Sequence, residues 1–220
     1  MLEVNLPEVI ERYKQLYTGA ICDILDKFGF RNQILPYYIQ SMTGDVKIAG
    51  PAFTGCGQPT SNPEDNDMEL RLQMLESITP HCISVWSTDN DLASAHWGEI
   101  MSTSVRERGC QAVVLDGGVR DMGFILKMGF PVFARFKNPA GSIGRWNIRA
   151  WQVPITIGST QIHPGDFIFG DIDGVVVIPR EIIMETLEAA EDIVNREIGM
   201  KAELKDGMSV TEAYRKYGTL

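Results

Sequence analysis

The chain contains the sequence Ala112-Val113-Val114-Leu115-Asp116-Gly117-Gly118-Val119-Arg120-Asp121, in which a short apolar run is followed by two glycines and an Arg-Asp pair. The apolar run is rich in β-branched residues, which is typical of a buried strand, and the glycines permit a sharp exit from it. The pattern that follows predicts a helix over residues 119–128 with Arg120 and Asp121 in its first turn. Strand, turn and helix together predict one βα unit.

A second unit of the same kind lies upstream. Residues 82–87 read as a strand, and after a polar loop Trp97-Gly98-Glu99 opens a helix that is predicted to continue to Gly109. If the two strands are parallel neighbours joined by a right-handed crossover, both helix starts emerge at the same carboxyl edge of the sheet. We therefore expect Glu99, Arg120 and Asp121 to converge.

The residue types at this edge suit a metal-bound acid anion. The amides of a helix N-terminus favour an anion, Arg120 can bind a carboxylate with two parallel hydrogen bonds, and Asp121 can give a hard oxygen ligand to a divalent cation. The alternative is a surface ion pair or a helix cap, which is the commoner meaning of an isolated Arg-Asp dipeptide.

The two turns, with twenty residues between Glu99 and Arg120, resemble those of the class II pyruvate aldolases acting on 4-hydroxy-4-methyl-2-oxoglutarate and 4-carboxy-4-hydroxy-2-oxoadipate. Relatives of these enzymes include the regulator of ribonuclease E activity A (RraA). The resemblance extends over most of the chain and includes residues 18–26, 50–54, 129–135, 164–166 and 171–179.

The resemblance implies an α/β fold, namely an RraA-like αββα sandwich with a mixed central sheet, similar to a swivelling phosphohistidine domain, in one domain over residues 1–220. It also implies homotrimeric rings or homohexamers with active sites between subunits. The helical segment 180–207 is expected to pack on a neighbouring subunit or to project from the domain. Glu197, with Glu203 as the second choice, matches the glutamate that reaches the adjoining site.

The activity implied is that of a metal-dependent lyase, which cleaves a 4-hydroxy-2-oxo acid to pyruvate and a second oxo compound and decarboxylates oxaloacetate as a side reaction. Cleavage leaves an enolate, so a Lewis acid and a counter-charge for the carboxylate are needed. Asp121 with Mg²⁺ or Mn²⁺ and Arg120 fit these tasks, and Glu99 is expected to hold the water that acts as base. The expected catalytic residues are Glu99, Arg120, Asp121 and Glu197, and the expected substrate contacts are Trp97, Gly98, Glu99, Ile100, Met101 and Arg120.

Lys127 lies about two helical turns beyond Arg120, so a Schiff-base aldolase is not expected. The competing class is a non-enzymatic regulator of ribonuclease E, whose ring would present a protein-binding surface. Two features depart from the aldolases: Glu99 stands where aspartate is usual, and residues 138–152 carry Arg145, Trp146, Arg149 and Trp151 in place of a variable loop. The substrate can therefore differ from those of the named aldolases.

Composition excludes several classes of protein. The formal charge of −9 and the lack of a basic run argue against nucleic acid as the main ligand. No stretch approaches the ~20 apolar residues of a membrane span, and the first residues lack a signal pattern, so a cytoplasmic location is expected.

Cysteines and histidines give few further candidates. The four cysteines occur singly and read as reduced core residues, with Cys22 as a weak candidate nucleophile near a helix start. The histidines show no metal-binding spacing. His96 directly precedes Trp97, and it either faces the pocket or lies in solvent as a loop residue.

The remaining segments alternate in type. Thr18 is predicted to cap a helix that ends at Gly29. Residues 63–78 are predicted to form another helix, whose core-facing residues are Met68, Leu72, Leu75 and Ile78. Hairpins are expected at 154–162 and 167–178, the second turning at Asp173-Gly174, and Pro179 begins a long helix.

Overall fold

The computed structural model describes residues 5–62 and 67–219. Its helices are α1 (Leu6–Tyr13), α2 (Thr18–Lys27), α3 (Asp67–Glu76), α4 (Glu99–Glu107), α5 (Met122–Met128), α6 (Ile183–Lys205) and α7 (Val210–Tyr217). Its strands are β1 (Gln40–Ser41), β2 (Ile48–Pro59), β3 (Ile83–Ser87), β4 (Ala95–Trp97), β5 (Ala112–Asp116), β6 (Gly118–Val119), β7 (Val132–Ala134), β8 (Phe136–Lys137), β9 (Trp146–Trp151), β10 (Ile155–Ile157), β11 (Thr160–Ile162), β12 (Phe167–Asp171) and β13 (Gly174–Ile178).

The main sheet is mixed and has the order β1-β7-β5-β3-β2-β12-β13, with β9 also paired to β2. Its centre is parallel: β3 pairs with β2 on one side and with β5 on the other, in register from Ile83 opposite Ala112 to Ser87 opposite Asp116. The expectation that the strands of the two βα units are parallel neighbours is therefore confirmed. A small parallel sheet of β4, β6 and β8 lies beyond the carboxyl ends of these strands.

The main sheet is buried on both faces, which explains the continuous apolar runs in its strands. Along β5, Val113 and Leu115 pack in a core beneath α3, α4 and α5, whereas Ala112 and Val114 point into a core built almost wholly from strands. Helices α1, α2 and α6 cover another part of the sheet, over β12 and β13. Helices outside a curled sheet give the expected αββα sandwich, so the fold class is confirmed.

The helix expected at 119–128 begins later than predicted. Val119 belongs to β6 and lies opposite Trp97, and the backbone N–H of Arg120 donates to the carbonyl of Trp97 at 3.0 Å. This ladder keeps the chain extended through Arg120. Asp121 then takes a left-handed conformation with φ of 59° as the residue before α5, so neither Arg120 nor Asp121 lies in the first turn of a helix.

Helix α3 also differs from its prediction. Residues 63–66 lie outside the described residues, and the helix is described from Asp67 onward. Leu75 and Ile78 are buried as expected, but Met68 and Leu72 are 49% and 53% exposed, so their assignment to the core was wrong. Both side chains line a surface cavity instead.

The other expected elements are present with small corrections. Helix α2 ends at Lys27, and Gly29 stops it two residues later with a left-handed φ of 88°, but Tyr17 and not Thr18 is its N-cap. The Thr18 hydroxyl and amide both donate to the carboxylate of Asp171, because the first turn of α2 rests on the hairpin of β12 and β13. Both predicted hairpins are confirmed. Among the described residues, no helix is long and apolar enough to cross a membrane.

Candidate active site

The two turns expected to converge do meet. Strand β4 runs directly into α4, and β6 runs into the Arg120-Asp121 pair beside it. The backbone N–H of Glu99, at the first position of α4, donates to Oδ2 of Asp121 at 3.2 Å. The side chain of Asp121 therefore caps α4, the helix of the other turn, while its backbone carbonyl accepts the first hydrogen bonds of α5.

Arg120 and Asp121 form only a loose ion pair. Nε of Arg120 lies 3.5 Å from Oδ2 of Asp121, and their side chains are 46% and 38% exposed. An exposed pair of this kind contributes about 0–1 kcal/mol to stability. The surface ion pair and the helix cap considered as alternatives are thus both present. They engage one carboxylate oxygen, and the guanidinium stays accessible to a ligand.

Two glycines leave room for this pair. A Cβ on Gly98 would lie 2.5 Å from Oδ2 of Asp121, and a Cβ on Gly141 would lie 2.6 Å from an Nη of Arg120. Real Cβ atoms do not approach other atoms this closely, so both positions require glycine while Arg120 and Asp121 keep their present places. Gly141 lies in the loop before β9, and no local sequence signal identified it.

The pair opens onto a cavity of about 450 Å³. Arginines 71, 120 and 145 contribute to its wall, and Asp121 is the one carboxylate among the described lining residues. The expected contacts Trp97, Gly98, Ile100 and Met101 line it, but Glu99 is not in the lining. The side chains that make up its apolar wall are Met68, Leu72, Leu75, Trp97, Ile100, Met101 and Ile143.

Arg71 is buried beneath the cavity and engaged by the protein itself. Its Nε donates to Asp67 at 2.7 Å, and its two Nη atoms donate to Ser142 Oγ at 3.1 Å and to the Trp146 carbonyl at 2.7 Å. With these bonds it joins α3 to the loop that carries Gly141. Arg71 was not singled out from the sequence, because Ser142 and Trp146, which it connects to α3, are distant along the chain.

His96 is neither in a loop nor in solvent. It lies in β4, is 5% exposed and lines the cavity from below. Its Nε2 is 2.9 Å from Asp91, and the Gly118 amide donates to its Nδ1. Burial lowers the pKa of His96 to about 4, although Asp91 opposes the shift, so the ring is neutral at pH 7.

The donor set fits a cation that keeps most of its water. Residues 5–62 and 67–219 contain no cluster of three or more His, Cys, Asp or Glu side chains that could hold a metal ion. Mg²⁺ is commonly held by one or two carboxylates and retains several waters. Asp121, exposed at the cavity with its contacts on Oδ2 alone, is suited to be such a single protein ligand.

Two other candidates, Glu197 and Glu203, lie outside the cavity lining. Glu197 in α6 accepts a hydrogen bond from the Tyr17 hydroxyl at 2.6 Å and pairs with Lys201, and Glu203 pairs with Lys216. A contribution of Glu197 to a neighbouring subunit concerns a second chain and stays a prediction.

Cys22 is not activated as a nucleophile. It lies within α2 and is half-buried. Burial, with smaller contributions from Asp26 and Asp23, raises the pKa of the Cys22 thiol to about 11, so the thiol stays protonated at neutral pH. The raised pKa disfavours the nucleophile considered as an alternative, and Cys22 fits the expected reading as a small packed residue in reduced form.

A family model described as RraA-like, Aldolase/RraA, matches residues 18–177. A protein of Halalkalibacterium halodurans, provisionally named a 4-hydroxy-4-methyl-2-oxoglutarate aldolase, is 28% identical over 209 residues, covering 94% of this chain and 93% of that protein. Protein DlpA of Legionella pneumophila is 24% identical over 97% of this chain, which spans only 34% of its length.

Solved structures match as well. One, described as novel cellulases from microbes associated with the gut ecosystem, has a TM-score of 0.87 and 38% identity over 90% of this chain and 89% of that one. RraAS2 of Streptomyces coelicolor, described as an unusual member of the RNase ES inhibitor RraA family, has a TM-score of 0.79 and 24% identity over 88% of this chain and 96% of that one. With the family model matched from the first turn of α2 to β13, this chain belongs to the RraA-like aldolase family.

Proposed function

We propose that this chain is a lyase, a divalent-metal-dependent aldolase that cleaves a 4-hydroxy-2-oxo acid to pyruvate and a second oxo compound. The observation that carries the proposal is the position of Arg120 and Asp121, which lie side by side, partly exposed, on a cavity where the buried Arg71 is already paired with Asp67. A guanidinium that is only loosely paired and stays accessible, beside a carboxylate, is what the binding of a metal-bound 2-oxo acid requires.

Arg120 binds the carboxylate of the substrate and offsets its charge. The C3–C4 bond breaks with its electron pair moving to C3, and the resulting enolate takes up a proton to become pyruvate. A Mg²⁺ or Mn²⁺ ion at this site would supply Lewis acidity to the 2-oxo group, whose oxygen takes up the enolate charge. The carboxylate of Asp121 would hold that cation and is itself kept in place by the Glu99 amide.

The proton on the C4 hydroxyl must leave as the C3–C4 bond breaks. We assign Glu99 to hold the base for this step, because it is the carboxylate at the first position of α4 beside Asp121. The side chain of Glu99 is outside the cavity lining, and in this proposal a water molecule connects its carboxylate to the substrate. Glu99→Gln tests the assignment, since the amide keeps the shape but does not accept a proton in the same way.

The substituent on C4 would meet the remainder of the cavity. Arg145 and the apolar side chains of Leu72, Ile100 and Ile143 surround that space. Arg145 lies in the unusual segment 138–152, and one Nη of its guanidinium donates to the nearby carbonyl of Gly141 at 2.9 Å. The rest of the guanidinium can meet a polar group of the substrate. Oxaloacetate decarboxylation is the expected side reaction because it forms the same enolate.

The solved neighbour described as cellulases does not change this proposal. Glycoside hydrolysis uses two carboxyl groups about 5–9.5 Å apart across the scissile bond. Asp121 is the one carboxylate among the described residues that line the cavity. A regulator of RNase E type is the alternative within the family, and it requires neither the open guanidinium nor the adjacent carboxylate.

The deciding experiment mixes the purified protein with Mg²⁺ or Mn²⁺ and either 4-hydroxy-4-methyl-2-oxoglutarate or oxaloacetate, and measures pyruvate. Release that EDTA abolishes, and that Arg120→Lys reduces, supports the enzyme because lysine cannot bind a carboxylate with two parallel bonds. Arg31→Lys is the matched control, since Arg31 is exposed and lies outside the cavity. Absence of release with both compounds favours the regulator.

A further inference from the structure

His96 occupies an irregularity in the small sheet that carries Arg120. Ala95 lies opposite Gly118 and Trp97 lies opposite Val119, so β4 has one more residue than β6 between these two pairs. His96 is the additional residue of this bulge. Bulges are found next to active sites, where they redirect a side chain or fix a local twist.

The ring of His96 replaces part of the backbone pairing at this point. The N–H of Gly118 donates to Nδ1 of His96 at 3.2 Å. Because an amide nitrogen only donates, Nδ1 must carry no proton, and the proton of the neutral ring lies on Nε2. Nε2 then donates to Oδ2 of Asp91 at 2.9 Å.

Asp91 is itself fixed and buried. Its Oδ1 accepts the N–H of Ala93 at 2.9 Å, and its Oδ2 also accepts the Ser94 hydroxyl. Asp91 is 6% exposed, and the His96 side chain is 2% exposed. A buried carboxylate with this many donors stays ionised and holds the tautomer of the ring it faces.

The ring of His96 packs closely against the Gly117-Gly118 turn. A Cβ on Gly117 would lie 2.5 Å from Nδ1 of His96 and 2.7 Å from a methyl carbon of Thr88. On another side the His96 ring packs edge-on against Trp146, with ring centroids 5.0 Å apart. The Gly117-Gly118 turn is therefore packed directly against the His96 ring, and Arg120 follows only two residues after Gly118.

We propose that His96 is a positioning residue of this site, whose Nδ1 holds Gly118 and thereby sets where Arg120 and Asp121 meet the cavity, with Asp91 fixing the tautomer. Its effect on catalysis rests on the proposed function, whereas its effect on the turn does not. His96 touches no reacting atom in this arrangement and acts through Gly118.

The test compares His96→Asn with His96→Leu. The two side chains have nearly the same shape, but the Asn oxygen can occupy the place of Nδ1 and accept from Gly118, whereas Leu cannot. Both variants lose the bond to Asp91, so that loss cancels in the comparison. Each is assayed for kcat and KM with oxaloacetate and Mg²⁺, and amide hydrogen exchange is followed over residues 117–121.

We expect His96→Asn to stay within about threefold of the parent in kcat/KM and His96→Leu to lose about 10- to 100-fold, the scale of a small misplacement at a reacting centre. The loss should appear in KM as well as kcat, because Arg120 binds substrate. Gly118 should exchange faster in the Leu variant alone. If His96→Leu fails to fold, His96→Gln replaces it, since Gln can reach Asp91 but offers Gly118 no acceptor at the Nδ1 position.

Equal kcat/KM in the Asn and Leu variants, with equal exchange at Gly118, would overturn the proposal. A difference in melting temperature alone, with kcat and KM unchanged, would show a structural role only and would also overturn it. If the parent releases no pyruvate, the proposed aldolase function fails, and the exchange comparison alone then decides whether His96 holds the turn.

Discussion

Arg120 and Asp121 are held in place by their surroundings more than by each other. The 3.5 Å separation and partial exposure of the pair make it weak, whereas the Glu99 amide, the glycines at 98 and 141 and the β4–β6 ladder all limit where the two side chains can lie. Because the surrounding backbone positions the two side chains, both can still bind a ligand.

Asp121 allows its structural and chemical roles to be separated by mutation. Asp121→Asn keeps an acceptor for the Glu99 amide and tolerates the φ of 59°, so we expect stability close to that of the parent but loss of metal-dependent turnover. Asp121→Ala also loses the cap, at a cost of about 1 kcal/mol. Urea unfolding and pyruvate release measure the two effects. Full turnover with Mg²⁺ in the Asn variant would remove Asp121 as a metal ligand.

The buried His96 makes stability depend on pH. Burial lowers its pKa from 6.5 to about 4 in the folded state, with Asp91 raising and Arg71 further lowering it. Between these values the unfolded chain binds more protons than the folded one, so this contribution is present at neutral pH and is lost as the pH falls from 6.5 towards 4. We expect the free energy of unfolding to fall by about 2 kcal/mol between pH 7 and pH 5 because of His96.

Urea unfolding at both pH values measures this change, and His96→Asn, which does not titrate there, is the control. An equal pH dependence in parent and variant would show that other groups cause it.

At the residue scale, the sequence identified the side chains that local signals mark. Glu99, Arg120 and Asp121 follow strand and turn patterns, so their meeting could be predicted. Arg71 and Gly141 could not, because the role of Arg71 depends on Ser142, 71 residues away, and that of Gly141 on how closely the Arg120 guanidinium approaches its backbone. His96 was noticed for its position before Trp97, but its burial follows from a bulge that no local pattern shows.

At the scale of elements, the site is the place where two strand ends give way to helices. Helix α4 starts where the sequence predicts, whereas α5 starts three residues late because Val119 pairs with Trp97 and Lys137 in the small sheet. Local patterns cannot distinguish these cases, since a valine before Arg-Asp suits a strand end or a helix start equally well. The shift leaves Arg120 and Asp121 in extended and left-handed backbone, between β6 and α5.

Gly98 connects β4 to α4, and its lack of a side chain is what lets Asp121 reach the Glu99 amide. Its φ of −156° is open to any residue, so the effect of Gly98→Ala comes from the 2.5 Å contact with Asp121 and not from backbone strain. We expect pyruvate release to fall by about 10-fold or more as Asp121 is displaced.

Gly123→Ala is the matched control. Gly123 lies inside α5 with nothing within 4 Å of its added Cβ, so alanine should raise stability by about 0.5–1 kcal/mol and leave activity unchanged. Kinetics and thermal unfolding on both variants check the pair. Normal activity in Gly98→Ala would show that Asp121 does not need its present position.

At the scale of the whole molecule, the cavity is bordered by exposed apolar side chains. Met68, Leu72, Ile100 and Ile143 are 49%, 53%, 79% and 60% exposed around it. The fold class was predictable, because alternating strand and helix signals and the family resemblance agree. The exposure of Met68 and Leu72 was not, since a helical apolar stripe has the same pattern whether it faces a core or the rim of a cavity.

The predicted role of Glu197 in a neighbouring site can be tested by mixing subunits. Glu197→Gln keeps an acceptor for Tyr17 and so preserves the contact within its own chain. If Glu197 acts on the adjoining subunit, Glu197→Gln and Arg120→Ala are each inactive, and unfolding and reassembling them together should restore about a quarter of parent activity, because random pairing rebuilds that fraction of sites. No recovery, or a fully active Glu197→Gln, would contradict this role.

Metal-dependent enolate formation at Arg120 and Asp121 is tested most directly by the exchange of the pyruvate methyl protons with deuterium in D₂O, followed by NMR. This measurement reports enolate formation whatever the C4 substituent of the natural substrate. We predict exchange that needs Mg²⁺ or Mn²⁺, is inhibited by oxalate, and is lost in Arg120→Lys and Asp121→Asn but kept in Arg31→Lys. Exchange no faster than in protein-free solution, or equally fast in all four proteins, would contradict it.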